Sequence, residues 1–331
     1  MKKILLSTPF LAIMTCILWA STFVPTKIGL EYLSSPLQFA GYTYLIAGVV
    51  LMPWARIGPS YFSQVKKHFP LMVKVALFST TILYGAYYMG QNYIDGSLAS
   101  LIVSAQPFFV AVLAHFMVRG DRFTPLKVLS ILMAVVGLVI VSYPGLEMMS
   151  LDRSEGTFIV LGVSLMLVNC ISAAYGNIIV SKIDFSKVDI RVLNSAELAL
   201  GGIFLLAIAA LAGQWQPFPA ESEFHLALLV KVFIAVATMV TWFALLARPE
   251  VKVSELNMWK FLIPVFGSIE SWLMISGDNP NVYSVTGMIV LTLSLIIFYN
   301  RPLRDFIFGG KGRRNEKRRN KGVKKHPNDG K

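Results

Sequence analysis

Lys260 stands in an otherwise apolar run, one turn before Pro264 in "WKFLIPVFGSIESWLM". An ammonium placed so far from water needs a counter-charge, either a neighbouring acid or the carboxylate of a bound solute. Tyr84, Tyr87, Tyr88 and Gln91 recur at i, i+3, i+4 and i+7, the spacing of one helical face. Such tyrosines stack on or hydrogen-bond a ligand, and their ring faces embrace an organic cation. Packing between helices uses the same residues equally well. Thr238, Thr241 and Trp242 repeat the phases of the first three, 154 positions on. Trp19 and Thr22 share nearly one face with Thr15 and Thr26. Small hydroxyl residues are also ordinary packing material, which makes Trp19 the stronger cavity candidate.

Gln106, beside Pro107, and Asn169 and Asn177 are amides set deep in apolar sequence. They require partners, from a cavity or from another helix. Glu197 and Glu270 each lie about a turn from a span end, where they either carry a coupling proton or sit solvated at the interface. Lys74 and Lys231 are expected to reach outward from near span ends. His115 reads as a packed or hydrogen-bonded residue. The sequence contains no His/Glu metal pair at helical spacing, no nucleophile elbow and no phosphate-binding loop. Those absences argue against enzyme chemistry, a resident cofactor or metal, and direct ATP drive. Cys16 and Cys170 both fall within apolar segments, so neither a disulfide framework nor a metal cluster is suggested.

The elements that must carry these residues follow from composition. Of 331 residues, 55% are hydrophobic and only 15% charged, whereas soluble domains carry about 25% charged residues. The apolar residues fall in stretches of roughly 20, the length that crosses about 30 Å of hydrocarbon. An all-α, multi-pass membrane protein fits; a transmembrane barrel would show short alternating strands. Ten spans are expected: Pro9–Gly29, Leu37–Trp54, Phe69–Met89, Leu98–Val118 and Leu126–Tyr143, then Gly156–Val180, Leu193–Ala212, Leu226–Leu246, Val253–Ile275 and Tyr283–Tyr299. The start, "MKKILLSTPFLAIMTCILWAS", has the features of a secretory signal but is read as an uncleaved first helix.

Charge sets orientation. With the N-terminus in the cytoplasm, 25 of the 30 Lys and Arg residues fall on the cytoplasmic side and only Arg153 outside. Without residues 301–331 the split is still thirteen against one. That asymmetry is the positive-inside rule for an even number of spans, with both termini cytoplasmic, in the plasma or inner membrane. Residues 301–331 hold 12 Lys/Arg against three acids and little that is apolar. They read as a disordered basic tail that helps fix orientation, with no nucleic-acid role assigned.

The chain also repeats itself. Pro107 and Pro264, Gly120 and Gly277, Asp121 and Asp278 are each 157 positions apart. Five spans per unit is an odd number, so the second copy enters from the opposite side. Inverted repeats of this kind build many secondary transporters, with the solute site near the midplane between the halves. Residues 1–143 form the first repeat, 144–155 an extracytoplasmic connector, 156–300 the second repeat and 301–331 the tail. Pro107 and Pro264, near the centres of the fourth and ninth spans, are expected to kink them beside a wet cavity and act as bending points.

The sequence resembles the drug/metabolite transporter superfamily, in its EamA-type branch. "WASTFVPTKIGL", the proline-to-"GDR" stretch with the following "PLKVLSILMAVVGLVIV", "VLNSAELALGG" and the second proline block carry the resemblance, over residues 10–299. It implies ten helices in two inverted five-helix halves, a central cavity, and transport of small organic solutes, often outward. Thr43 stands where many members have an arginine, and Gly-Asp replaces the commoner Gly-Glu at 120–121 and 277–278. The leading expectation is a secondary exporter of amino acids, drugs or related solutes by alternating access, with H+ as the candidate coupling ion. The alternative is a membrane sensor or scaffold whose basic tail binds a partner or anionic lipid.

Overall fold

The computed structural model describes residues 7–90, 93, 102–147, 156–274 and 280–299. The basic tail, Gln91, Gly277 and Asp278 lie outside the described residues, as does most of the connector. In chain order the elements are α1 (Thr8–Ala20), α2 (Phe23–Tyr32), α3 (Pro36–Leu51), α4 (Pro59–Lys67), α5 (Phe69–Ala76), a π-helical turn (Leu77–Thr81) and α6 (Ile82–Gly90). After them come α7 (Gln106–Met117), α8 (Pro125–Glu147), α9 (Gly156–Ser181), α10 (Ile190–Leu211) and α11 (Ser222–Leu246). The order ends with α12 (Val253–Met258), a 3₁₀ turn (Trp259–Leu262), α13 (Ile263–Met274) and α14 (Val282–Tyr299). Helix starts follow from the sequence: Ser7, Ser35 and Asp189 accept backbone N–H groups as caps, and Pro9 and Pro36 sit in first turns where no donor is missed.

Among the described residues, six helical stretches are long and apolar enough to cross a membrane: Thr8–Tyr32, Phe69–Gly90, Val160–Ser181, Ile190–Leu211, Ser222–Leu246 and Val282–Tyr299. Shorter apolar helices cover Pro36–Leu51, Ile102–Met117 and Pro125–Val141. Leu211, Leu273 and Phe116 are 89%, 80% and 78% exposed, an outward apolar surface that suits lipid rather than water.

The spans are more broken than their hydropathy predicts. The first is interrupted at Ser21–Thr22, and the third carries the π-helical turn. The fourth breaks at Ala105, after helical residues 102–104, and the ninth passes through the 3₁₀ turn. The two repeated prolines therefore differ from the expected mid-helix kinks. Pro107 and Pro264 are each the second residue of a new helix, α7 and α13. A missing donor costs nothing in a first turn, so the proline restarts the helix and the irregular backbone falls just ahead of it.

The helices pack in pairs. α3 runs along α10, and α8 along α14. α9 packs on α6 and on α7; α11 packs on α1 and α2, and α13 on α1. The two long crossings are set by glycine. A Cβ on Gly48 would meet Ala199 N at 2.4 Å and Ser195 O at 2.7 Å; one on Gly202 would meet Leu45 N at 2.3 Å and Gly41 O at 2.8 Å. Those two sets of contacts are the same set displaced by 154 positions. Gly137 and Gly287 do likewise for α8 and α14, each placed against the other's carbonyl oxygen. Without a hydrophobic drive between helices in lipid, such close backbone contact supplies much of the association.

A polar knot closes one end of the bundle. Asp121, in the loop before α8, pairs with Lys127 at 2.7 Å, and the two side chains are 1% and 3% exposed. Asp121 also accepts the Ser254 backbone N–H at 2.9 Å and its hydroxyl, while Lys127 reaches Ser254 Oγ at 2.6 Å and Arg122 O at 3.2 Å. The carboxylate thus caps α12 from another part of the chain. Burial opposes ionisation of Asp121, but hydrogen bonds from Lys127 and Ser254, with the lysine charge, outweigh it and hold the carboxyl below its ordinary value.

Replacing Gly48 or Gly202 by leucine is expected to abolish monodisperse protein on size exclusion, whereas Gly85→Ala, whose Cβ meets only Leu205 Cδ2 at 3.9 Å, is tolerated. Asp121→Asn is expected to cost about 3 kcal/mol or more at neutral pH by stranding the lysine. A depressed carboxyl stabilises the fold above its unfolded value of about 3.9 and stops doing so as pH falls through the folded value. Melting curves of wild type and Asp121→Asn should therefore converge below about pH 4.

Candidate functional site

The broken stretches of the chain surround a cavity of about 750 Å3. α1, α2, α3, α6, α9, α11 and the segments around both prolines contribute to its wall. Trp19, Thr22, Tyr84, Tyr87, Tyr88, Gln106, Asn177, Thr238, Trp242 and Lys260 all line it. The aromatic stripe of the third span and its counterpart in the eighth thus meet in one space. Thr241 is half-buried but is not part of the wall. One helical position from Trp242 is enough to turn its side chain away.

At the floor, Lys260 Nζ lies 4.9 Å from the Trp19 ring and 4.9 Å from the Trp242 ring. The two indoles stand edge to face, their centroids 4.9 Å apart. The same ammonium donates to Gln106 Oε1 at 3.5 Å. Gln106 is fixed in turn: its amide donates to Asn169 Oδ1 at 3.1 Å, and Asn169 donates to the Leu83 carbonyl at 2.7 Å. Trp242 is fixed by its indole N–H to Asn177 Oδ1 at 2.8 Å, and Asn177 by Asn257 Oδ1 at 3.1 Å. Every amide that the sequence set in apolar surroundings therefore has a partner, and together they orient one cation and two indoles.

The broken backbone is satisfied by the same walls. Cys16 Sγ donates to the Trp259 carbonyl at 3.2 Å, and Cys170 Sγ to the Ile102 carbonyl at 3.3 Å. The two thiols are 154 positions apart, and each acceptor lies five residues before its proline. Ser172 donates to the Phe78 carbonyl at 2.7 Å and Thr81 to the Ala76 carbonyl at 3.2 Å, covering the π-helical turn.

The two acids occupy different surroundings. Glu197 is not solvated at an interface: it is 0% exposed, accepts from Thr80 Oγ1 at 3.0 Å, and its other carboxylate oxygen has no partner among the described residues. The glycines of α3 and α10 draw those helices so close that water cannot reach it. Glu270 accepts the Ser21 hydroxyl at 2.8 Å and so holds the interruption of the first span; it is not part of the cavity wall.

The structure also adds wall residues that the patterns did not single out: Lys27, Leu30, Glu31, Tyr44, Ser79 and Leu83; Thr43, already noted for replacing an arginine, lines the cavity too. Lys27 and Glu31 are exposed, at the mouth, with Lys231 half-buried in the wall opposite. Lys231 therefore turns into the cavity instead of reaching for the membrane surface, whereas Lys74 is exposed over the Tyr175 ring at 5.2 Å. Tyr44 stacks on Tyr84 with centroids 4.5 Å apart, which ties α3 to the aromatic stripe. The charges at 27 and 31, one turn apart, were the available signal for the mouth.

Comparison with known proteins gives the same picture. The model of the EamA-like transporter family matches residues 6–143 and 160–300. An uncharacterized transporter of Bacillus subtilis, YvbV, is 26% identical over 88% of this chain and 91% of its own length. One from Archaeoglobus fulgidus is also 26% identical, over 86% of this chain and 94% of its own. A WAT1-related chloroplastic protein of Arabidopsis thaliana is 24% identical over 86% of this chain and 67% of its own. A solved crystal structure superposes with a TM-score of 0.73 at 17% identity, covering 88% of this chain and 96% of that one, a likeness of fold. With apolar helices crossing a bilayer around a polar-floored cavity, the chain belongs to the EamA-like transporter family and is a multi-pass membrane transporter.

Proposed function

We propose that this protein is a secondary transporter that exports small organic solutes by alternating access between two inverted five-helix halves, residues 1–143 and 156–300. The observation that carries the reading is the pairing of contacts. The α3–α10 and α8–α14 crossings each join equivalent positions of the two repeats, and the α6–α9 contact has its counterpart in α11 with α1 and α2. An exchange of such contacts between halves converts one accessible face into the other without a new fold.

With both termini cytoplasmic, Lys27, Glu31 and Lys231 mark the outer end of the cavity, and the Asp121–Lys127–Ser254 knot closes the cytoplasmic end. On that orientation the conformation is outward-facing. The solute would sit among Trp19, Thr22, Tyr84, Tyr87, Tyr88, Gln106, Asn177, Thr238, Trp242 and Lys260, and the restarts at Pro107 and Pro264 would serve as joints. Glu197, buried with one oxygen unpartnered, is the better candidate for a coupling proton; Glu270 is engaged in holding Ser21. Nothing in this mechanism calls for a metal or cofactor.

Purified protein in liposomes is expected to catalyse saturable solute flux. Trp19→Ala and Tyr87→Ala should slow it about tenfold, the scale of one lost aromatic contact. Phe116→Leu, on the outward apolar surface, should leave it unchanged. A broad panel of amino acids, organic acids, organic cations and drugs giving no flux above empty vesicles would overturn the proposal.

A further inference from the structure

We propose that the cavity selects organic anions, solutes whose single carboxylate seats on Lys260 while an apolar body lies against Trp19 and the tyrosines of α6. The inference rests on this cavity being the solute site, and it names the chemistry of what enters.

Charge comes first. Among the described residues four charged side chains line the cavity, three ammonium groups at Lys27, Lys231 and Lys260 against one carboxylate at Glu31. Glu31 is exposed at the mouth, one helical turn from Lys27, so among the described residues the charge on the cavity floor is that of Lys260 and the lining as a whole is net positive. A cleft with walls of one sign concentrates the opposite ion and raises its rate of arrival.

The partners of Lys260 come second. The described ion pairs are Lys127–Asp121, Lys187–Asp184, Arg191–Asp189 and Lys252–Glu255; none involves a cavity lysine. An ammonium carries three donors. The single oxygen that meets Lys260 among the described residues is that of Gln106, at 3.5 Å, the outer limit of a hydrogen bond. Two indole faces at 4.9 Å hold the charge in place without neutralising it. A carboxylate arriving from the cavity supplies what the protein withholds.

The same geometry excludes the opposite class of solute. An aromatic cage is a good seat for an organic cation, but the Trp19–Trp242 cage already contains the protein's own ammonium. A second cation there would face like charge in a poorly hydrated space. The sequence left two partners open for Lys260, a neighbouring acid or a solute; among the described residues the acid is absent.

The test uses three probes of one size and different charge: phenylacetate, phenylacetamide and phenethylammonium. Binding to the full-length detergent-solubilised protein is read by thermal shift, since a ligand stabilises the state it binds, and by quenching of tryptophan fluorescence. Phenylacetate is expected to bind at least about tenfold tighter than phenylacetamide, the scale of a charge-assisted hydrogen bond. Phenethylammonium should not bind. Lys260→Gln should erase the preference and Lys260→Arg should keep it. The proposal is overturned if the amide or the amine binds as well as the acid, or if Lys260→Gln keeps wild-type affinity for phenylacetate. It also falls if no member of a series of aromatic and aliphatic monocarboxylates binds. Should Lys260→Gln fail to fold, the ranking of the three probes on wild type decides alone. Lys260-dependent binding without flux in vesicles would sink the transport reading and leave this one standing; flux of amines but not of acids would do the reverse.

Discussion

Backbone that leaves the helical ladder inside hydrocarbon has to find its hydrogen bonds in protein, because no water is there to supply them. This chain interrupts its spans at Ser21–Thr22, Leu77–Thr81, Ala105 and Trp259–Leu262, and the interruptions can exist only where they answer one another. Cys16 and Cys170 donate to the carbonyls ahead of the two prolines, Ser172 and Asn169 to carbonyls in and beyond the π-helical turn, and Ser21 to Glu270. Gathering the breaks at the centre of the bundle is therefore a condition of folding. It also leaves irregular polar backbone and amides around one space, the cavity proposed as the solute site.

Position and chemistry diverge within that space. Positions 154 or 157 apart line it together: Tyr88 with Trp242, Tyr84 with Thr238, Val103 with Lys260, Gln106 with Ile263. The lining positions recur at those intervals, but the cation does not. Thr43 and Glu197 are likewise 154 positions apart; the threonine lines the cavity and bonds the Phe39 carbonyl, while the glutamate is sealed behind Thr80.

Apolar stretches and the Tyr84–Tyr87–Tyr88 face were legible because helical periodicity and hydrocarbon thickness act on sequence directly. Lys260 was legible because a charge in such a stretch is costly. The interruptions were not, since a π-helical turn or a 3₁₀ turn carries no periodicity of its own, and the prolines pointed to the place without saying that they begin helices. The fate of the acids depended on neighbours far along the chain. Glu197 is dry because Gly41, Gly48 and Gly202 let α3 close over α10, a fact of tertiary contact alone. Lys231 entered the wall for the same reason, set by how α11 lies against α2 and α3.

The glycine crossings have a further meaning for motion. Gly48 presses on Ser195 and Ala199, and Gly202 presses on Gly41 and Leu45, so each set of contacts is the other displaced by 154 positions. On the proposed alternating-access reading, a point that maps onto itself stays put when the two proposed halves exchange roles. If the bundle rocks, the α3–α10 and α8–α14 junctions are the fulcrums, and displacement must grow with distance from them toward the two mouths.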